Sequence, residues 1–412
     1  MLIKTIFNRL TKFKGFVVEA VRFSKKELEL VLRARKNSKG KCSGCGTPGP
    51  CYDRRPERRF EFVPTWGIRT FLVYSPRRID CVACGPTVEQ LPWCTGRRRI
   101  TTVYQCFLAH WARKLSWKDV AIEFHTTWQH VFRAVAMVVE YGLAHRNLSG
   151  ITAVGVDEIH WSTTKGFVTV VYQIDIHCKR LLWVARGRTV RGLLGFFRML
   201  GKERTKALQF VCSDMWPAYL KVIAKKATKA LHILDRFHIV SNTNKALDEV
   251  RTAEAKKLHR EGYEPLKRSR WCLLKRPENL TPKQEVKLKE LLRSNLRTVR
   301  AYLLAQQLHY FWEYTSPAWA GKFLDAWCRT VMRSRIEPMK RIARQLRKHR
   351  PLILNWFRAR KLFSSGIVEG LNNKAKVTLR KAYGFRTFSA MEIALFHQLG
   401  KLPEPDVAHT FW

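Results

Sequence analysis

Acidic residues are scarce in this 412-residue chain: 32 Asp plus Glu stand against 77 Lys plus Arg, a formal net charge of +45. Lys and Arg recur in nearly every block of ten, so the excess belongs to folded surfaces and not to one basic tail. Such an excess repels itself in a folded protein unless an anion offsets it. That ranks a polyanionic partner, nucleic acid foremost, above a surface tuned for solubility or one that meets anionic lipid. Long apolar runs are missing too. None reaches the roughly 20 residues that span a bilayer, so no membrane partner is expected. The N-terminal MLIKTIFNRLTKFKGF is interrupted by Lys and Arg and has no clean signal-peptide core, so a cytoplasmic protein is expected. No internal repeat and no long low-complexity linker is visible, and the length fits roughly two to four domains.

Apolar residues make up 46%, too many for a disordered chain. The eleven cysteines are odd in number, and Cys106, Cys178, Cys212, Cys272 and Cys328 sit in scattered or apolar positions. This argues for a reducing compartment over a disulfide scaffold. Four others form a duplicated unit, Cys-x-x-Cys-Gly, at Cys42 and Cys45 and again at Cys81 and Cys84. Each pair can chelate one ion from a tight turn whose Gly supplies positive φ. Two such knuckles provide the four sulfurs of a closed tetrahedral Zn²⁺ site. The duplication favours structural zinc over a redox pair or coincidence, although Cys51 or Cys94 could replace one ligand. Between the pairs, FVPTWGIRTFLVY reads as a strand.

Residues 116–140 carry two helix starts. Ser116-x-x-Asp119 resembles a capping box and Thr126-x-x-Gln129 fits one. Val120, Ala121 and Phe124 form one apolar stripe, and Val131, Val135 and Val138 another. A short helix, a turn near His125 and a longer helix is the outline of a helix-turn-helix, with Thr127, Trp128, His130 and Arg133 placed to meet DNA. An ordinary αα-hairpin has the same pattern. The basic context, with Arg97, Arg98 and Arg99 just upstream, favours DNA.

From residue 151 the periodicity becomes that of strands. AVGVDEIHW, FVTVVYQID and RLLWVARG read as antiparallel hairpins. A helix (189–200), a strand ending in FVCSD, a helix, and a strand in LHILDRFHIV that runs into a further helix complete a β-β-β-α-β-α-β-α order. That is the order of an α/β, ribonuclease-H-like fold, a mixed five-stranded sheet with flanking helices. In it the first and fourth strands lie side by side, so Asp157 and Asp214 meet at one rim. Like charges so placed need a cation between them, and Mg²⁺ with its oxygen ligands fits best. Glu158 points to the opposite face and is read as supporting the site or facing solvent. Asp235 and His238 either orient ligands or cap the next helix. Asp175 belongs to a turn.

A two-ion site wants a third carboxylate. SSGIVEGLNNKAKVTLRKAYGF (364–385) offers Glu369 near a helix start, ahead of a basic ladder of Lys374, Lys376, Arg380 and Lys381 suited to phosphates. A solvated amphipathic helix with Glu near its positive end is the bland alternative. Between the acids lies a basic, mainly helical stretch. In it Thr281 and Ser316-Pro317 mark helix starts, and RQLRKHR lacks balancing acids.

The Cys-pair module, the two-helix segment, VGVDE, CSDMW, DRFH and SSGIVEGLNNKAK together resemble bacterial insertion-sequence transposases of the DDE class, ISL3 family, over nearly the whole chain. The resemblance implies an acidic triad of Asp157, Asp214 and Glu369 holding two Mg²⁺ ions, or Mn²⁺ in their place. It also implies phosphoryl transfer that cleaves DNA at terminal inverted repeats and joins the 3′-OH to target DNA. A homodimer or higher assembly on DNA is expected. The expected divisions are a zinc module at 1–95, a helix-turn-helix region at 96–148, and a catalytic core at 149–240. They continue with a basic helical insertion at 241–360 and the core's final helix and C-terminus at 361–412. A metal-dependent nuclease or a non-catalytic DNA-binding regulator are the alternatives.

Overall fold

The computed structural model describes residues 3–11, 13–24, 26–96, 98–162, 164, 166–361, 366–382 and 384–406. Arg97, Ser364 and Ser365 lie outside them. The chain divides into two units, Met1–Asn147 together with Val377–Trp412, and Leu148–Lys376.

The second unit is organised by the β-branched stretches read above. They form β1 (Ala153–Ser162), β2 (Gly166–Ile174), β3 (Lys179–Arg186), β4 (Phe210–Ser213) and β5 (Leu231–Leu234), ordered β3-β2-β1-β4-β5 in one sheet. The first three strands are antiparallel, whereas β4 runs parallel to β1 and β5 parallel to β4. The expected adjacency of the first and fourth strands is therefore observed. Helices α1 (Val190–Leu200) and α2 (Pro217–Lys226) cover one face and bury Phe196, Phe197, Tyr219 and Val222 against Val154, Val156, Val171 and Leu182. These positions alternate along β1, as a strand requires.

Helix α3 (Arg236–Arg260) leaves the end of β5 and is followed by the short α4 (Arg270–Leu274). The helices Pro282–Leu292, Arg297–Tyr310, Pro317–Arg333, Glu337–Lys348 and Arg350–Arg358 come next. Thr281 makes both halves of its capping box with Gln284. The Asn355 side-chain amide donates to the His232 carbonyl at 2.7 Å, pinning the last of these helices to β5. Helix α5 (Gly366–Lys381) buries Val368, Leu371, Ala375 and Leu379, the four apolar positions read from the sequence. Its Val368 meets β1 where Gly155 has no side chain: a Cβ there would lie 2.6 Å from Val368 Cγ2.

In the first unit, strands Phe16–Phe23, Glu27–Ala34, Ile68–Tyr74 and Arg58–Thr65 form a sheet in that spatial order, around Phe60, Leu28, Leu30, Leu72 and Trp93. FVPTWGIRTFLVY is thus two strands, not one. Trp66 and Gly67, at φ 52 and 76, turn the chain between Thr65 and Ile68. Positive φ at both turn residues matches the twist of a tight hairpin. The helices Thr102–Lys114, Trp117–Glu123 and Trp128–His145 follow. His125, at φ 50, turns the chain between the second and third. The cap of the third is Thr127, whose hydroxyl accepts from the His130 N–H, one residue later than the sequence pattern indicates. Thr126 instead bonds the His130 ring at 3.1 Å.

Candidate active site and metal centre

The four knuckle cysteines converge, with all their ligand atoms within 4.8 Å of one another. Gly46 and Gly85 take the positive φ that the knuckles need, at 75 and 69. Hydrogen bonds from the Thr87 hydroxyl and then the backbone N–H groups of Cys45 and Gly44 lower the Cys42 thiol to about 6. The neighbouring Cys45 and Cys42 sulfurs push Cys84 up to about 12. One thiolate is welcome and the next is resisted, so the set fits a soft divalent cation that neutralises all four. Cys51 is exposed and outside the cluster. Cys94 is buried in the aromatic core, where burial raises its thiol to about 11.

The acidic rim arises from strand register. Val156 pairs with Ser213, and Ser213 with Leu234, across three parallel strands. Asp157, Asp214 and Asp235 each follow one member of that row. Parallel neighbours lie roughly 4.8 Å apart, so the three carboxyl-bearing positions line one edge.

Each acid has its own surroundings. Asp157 is buried and faces α5, where the Asn372 amide donates to its Oδ2 at 2.6 Å. The Tyr172 hydroxyl in turn donates to the Asn372 Oδ1 at 2.9 Å. Glu158 faces the α2 side, as strand alternation requires. Its Oε1 pairs with Arg188 at 2.9 Å, and its buried Oε2 has no hydrogen-bond partner. Burial, then the charges of Asp214 and Asp157, push the Glu158 carboxyl up to about 6. Burial also raises Asp214, with Asp157 adding to the shift and the Trp216 N–H opposing it. Asp235 caps α3 by accepting the Phe237 N–H at 2.7 Å, and also faces His238 at 3.7 Å. His238 Nε2 lies 3.5 Å from Asp157 Oδ1. Burial alone would lower His238, but Asp157, Asp235 and Asp214 outweigh it and raise it to about 9.

Burial and then neighbouring acid raise the Glu158 and Asp214 carboxyls, and Glu158 Oε2 is buried without a partner, a group of oxygen donors whose chemistry fits a hard cation. Among the described residues, however, the cysteine cluster is the only group of three or more such ligands drawn within 4.8 Å. Glu369 stands exposed in the first turn of α5, three residues before Asn372. Lys374, Lys376 and Arg380 are exposed further along the helix, whereas Lys381 donates to the Arg113 carbonyl at 3.0 Å. Thr127, Trp128 and Arg133 are exposed and His130 is half-buried.

Sequence reasoning missed two residues here. Asn372 is indistinguishable in sequence from its neighbour Asn373, and only its contact with a strand distant in sequence reveals it. Arg188 lies just past β3, between the rings of Phe167 and Trp216 at 4.1 and 4.5 Å. A lone arginine in so basic a chain gave no signal.

Comparison with known proteins places the chain in a family. Residues 154–395 match the family model described as "Transposase", that of the ISL3-type DDE transposases. Over 393 residues the chain is 28% identical to the transposase for insertion sequence element IS1001 of Bordetella parapertussis, covering 94% of this chain and 96% of that one. It is 27% identical over 409 residues to the transposase for IS1557 of Mycobacterium tuberculosis, covering 92% and 91%. The chain belongs to the ISL3 family of insertion-sequence transposases. Among the described residues no helix is long and apolar enough to cross a membrane.

Proposed function

We propose that this protein binds the terminal inverted repeats of its own insertion sequence, cleaves DNA there, and joins the freed 3′-OH to target DNA. The observation that carries the proposal is the row of acids fixed by the Val156, Ser213 and Leu234 register, inside the segment that matches the family. Ribonuclease-H-like is the reading of the sheet that suits this chemistry, with residues 149–240 and 361–412 as the core and 241–360 as its insertion.

Asp157, Asp214 and Glu369 would hold two Mg²⁺ ions, for which Mn²⁺ can substitute. Bound there, the metal lowers the pKa of the attacking hydroxyl and offsets charge building on the phosphate. The protein's own groups prepare the site. Asn372, steadied by Tyr172, fixes one oxygen of Asp157. His238 and Arg188 keep the acids from repelling one another before metal arrives, with Glu158 as the anchor for Arg188. In the first step water attacks a phosphodiester, which leaves a 3′-OH on one strand. In the second step that 3′-OH attacks a target phosphodiester and expels a target 3′-oxygen.

The zinc module at 1–95 and the two-helix segment at 96–148, through Thr127, Trp128, His130 and Arg133, would read the repeats. Lys374 and Lys376 would hold the backbone near the acids, and Arg380 and Lys381, further along the chain, would add contacts to DNA. Ends must be paired before joining, so a homodimer or larger assembly on DNA is expected, in the bacterial cytoplasm at the nucleoid.

The test is incubation of the protein and Mg²⁺ with duplexes carrying the repeats that flank its gene. Joined products are expected. Asp157→Asn, Asp214→Asn and Glu369→Gln should each reduce them by about 10³-fold or more. Cleavage without joining would make the protein a nuclease, and binding without either a regulator. A denaturant-resistant protein–DNA adduct would make it a serine or tyrosine recombinase.

A further inference from the structure

Beside the acidic rim, α3 and α4 enclose a cavity of about 240 Å³ that the proposed chemistry does not use. It begins at Phe237, adjacent in sequence to both Arg236 and His238. The first turn of α3 divides its side chains three ways. Arg236 lies over the rings of Trp312 and Trp356, at 5.3 and 5.8 Å, and His238 faces Asp157. Phe237 is left 46% exposed at the cavity.

The other walls suit one kind of occupant. Val240, Ser241, Asn244 and Lys245 follow Phe237 at helical spacing on α3, and Arg270 of α4 closes the opposite side. An aromatic face stacks any base, an amide and a hydroxyl can meet a base edge, and the Lys245 ammonium suits its phosphate. Asp248 also lines the cavity, but Arg251 at 2.7 Å and Arg270 at 3.2 Å pair with it, so its charge is offset. The Phe237 ring lies 5.7 Å from the His238 ring, which faces Asp157, so a nucleotide held against Phe237 is within reach of a phosphodiester at the acids.

We propose that this cavity takes an unstacked base of the DNA end being processed, with Phe237 as its stacking platform. Extruding a base costs a few kcal/mol and bends the backbone out of the duplex, which would present the scissile phosphate to the rim. The inference rests on the reading of the chain as a DNA-cleaving transposase, and its test separates the two.

Terminal-repeat duplexes with 2-aminopurine at successive positions around the cleavage point are bound to the full-length protein without divalent metal. One position should brighten several-fold. Phe237→Ala should abolish the brightening while changing overall DNA affinity by less than about tenfold, since the stacking that is lost and the unpairing no longer required are of similar size and opposite sign. Phe237→Tyr should restore it. 5-Iododeoxyuridine at the same position should photocrosslink to Phe237. Asp157→Asn should leave the brightening intact and lose cleavage. Wild-type cleavage with no brightened position, or brightening that survives Phe237→Ala, overturns the pocket and leaves the transposase reading standing. Phe237-dependent brightening without any cleavage leaves the pocket and overturns the other. Binding of a free deoxynucleoside monophosphate as tight as that of the duplex end would also overturn the assignment to substrate DNA.

Discussion

The thiol cluster and the acidic rim are both candidate metal sites, yet they are built on opposite plans. The four sulfurs already stand within 4.8 Å of one another on two short knuckles. The acids come from the middle of β1, the residues just past β4 and β5, and a helix far apart in sequence, and partners hold them: Asn372 on Asp157, Arg188 on Glu158, His238 between Asp157 and Asp235. A closed sulfur site has no further task once filled, so nothing is lost by bringing its ligands close. Under the proposed function the oxygen site must admit DNA and release it, which calls for partners of its charges that can give way.

That contrast can be broken at its strong end first. Cys81→Ser should remove about one equivalent of zinc per chain, read by elemental analysis. It should also unfold the module around the strands Cys51–Arg54, Arg77–Cys81 and Gly85–Val88, read by limited proteolysis. Structural zinc contributes ~10 kcal/mol or more in small modules. Retained zinc with a folded module would mean that another ligand replaces Cys81.

At the rim the expected effects are smaller, and one has the opposite sign. Asn372→Leu leaves a buried Asp157 oxygen without its donor and should cost ~2 kcal/mol of stability without metal, measured by denaturant unfolding. Gly155→Ala inserts a methyl where Val368 Cγ2 already stands 2.6 Å from an ideal Cβ, and should cost ~1–3 kcal/mol. An unchanged midpoint would show that α5 moves away freely. Glu158→Gln should stabilise the metal-free protein at neutral pH. The Glu158 carboxyl is raised to about 6 from a reference of 4.5, so its ionised form costs the fold stability above that pH. At ~1.4 kcal/mol per pKa unit the relief is about 2 kcal/mol, the attraction of Arg188 being already part of the net shift. Destabilisation instead would make the Glu158–Arg188 pair dominant over the repulsion. No such gain is available at Cys81, and this sharpens the comparison most.

Legibility in the sequence followed the range of the interactions. The β-branched runs, the helix stripe at Val368, Leu371, Ala375 and Leu379, and the duplicated Cys knuckles are local patterns, and the structure bears them out. The Asp157–Asp214 pairing was legible because the strand order predicts which strands adjoin. The hairpin inside FVPTWGIRTFLVY was hidden because its first turn residue is Trp66, which rarely takes positive φ. The sheet through Phe16–Phe23 and Glu27–Ala34 went unread, since Glu and Arg interrupt both runs. Asn372 and Arg188 act through partners remote in sequence, and no periodicity marks such residues. The cap at Thr127 was displaced by one because Thr126 and Thr127 offer the same hydroxyl.

The row through Val156, Ser213 and Leu234 makes the sheet a ruler for the carboxylates. Ladder bonds permit whole-residue displacements only, and a slip of one residue turns every side chain of that strand to the other face. Small errors in acid spacing are therefore unavailable to the folded chain. A deletion in the connection before Phe210 either leaves the rim as it is or removes Asp214 from it altogether. Damage to this part of the protein should thus sort into intact and inactive copies, with few of graded activity between them.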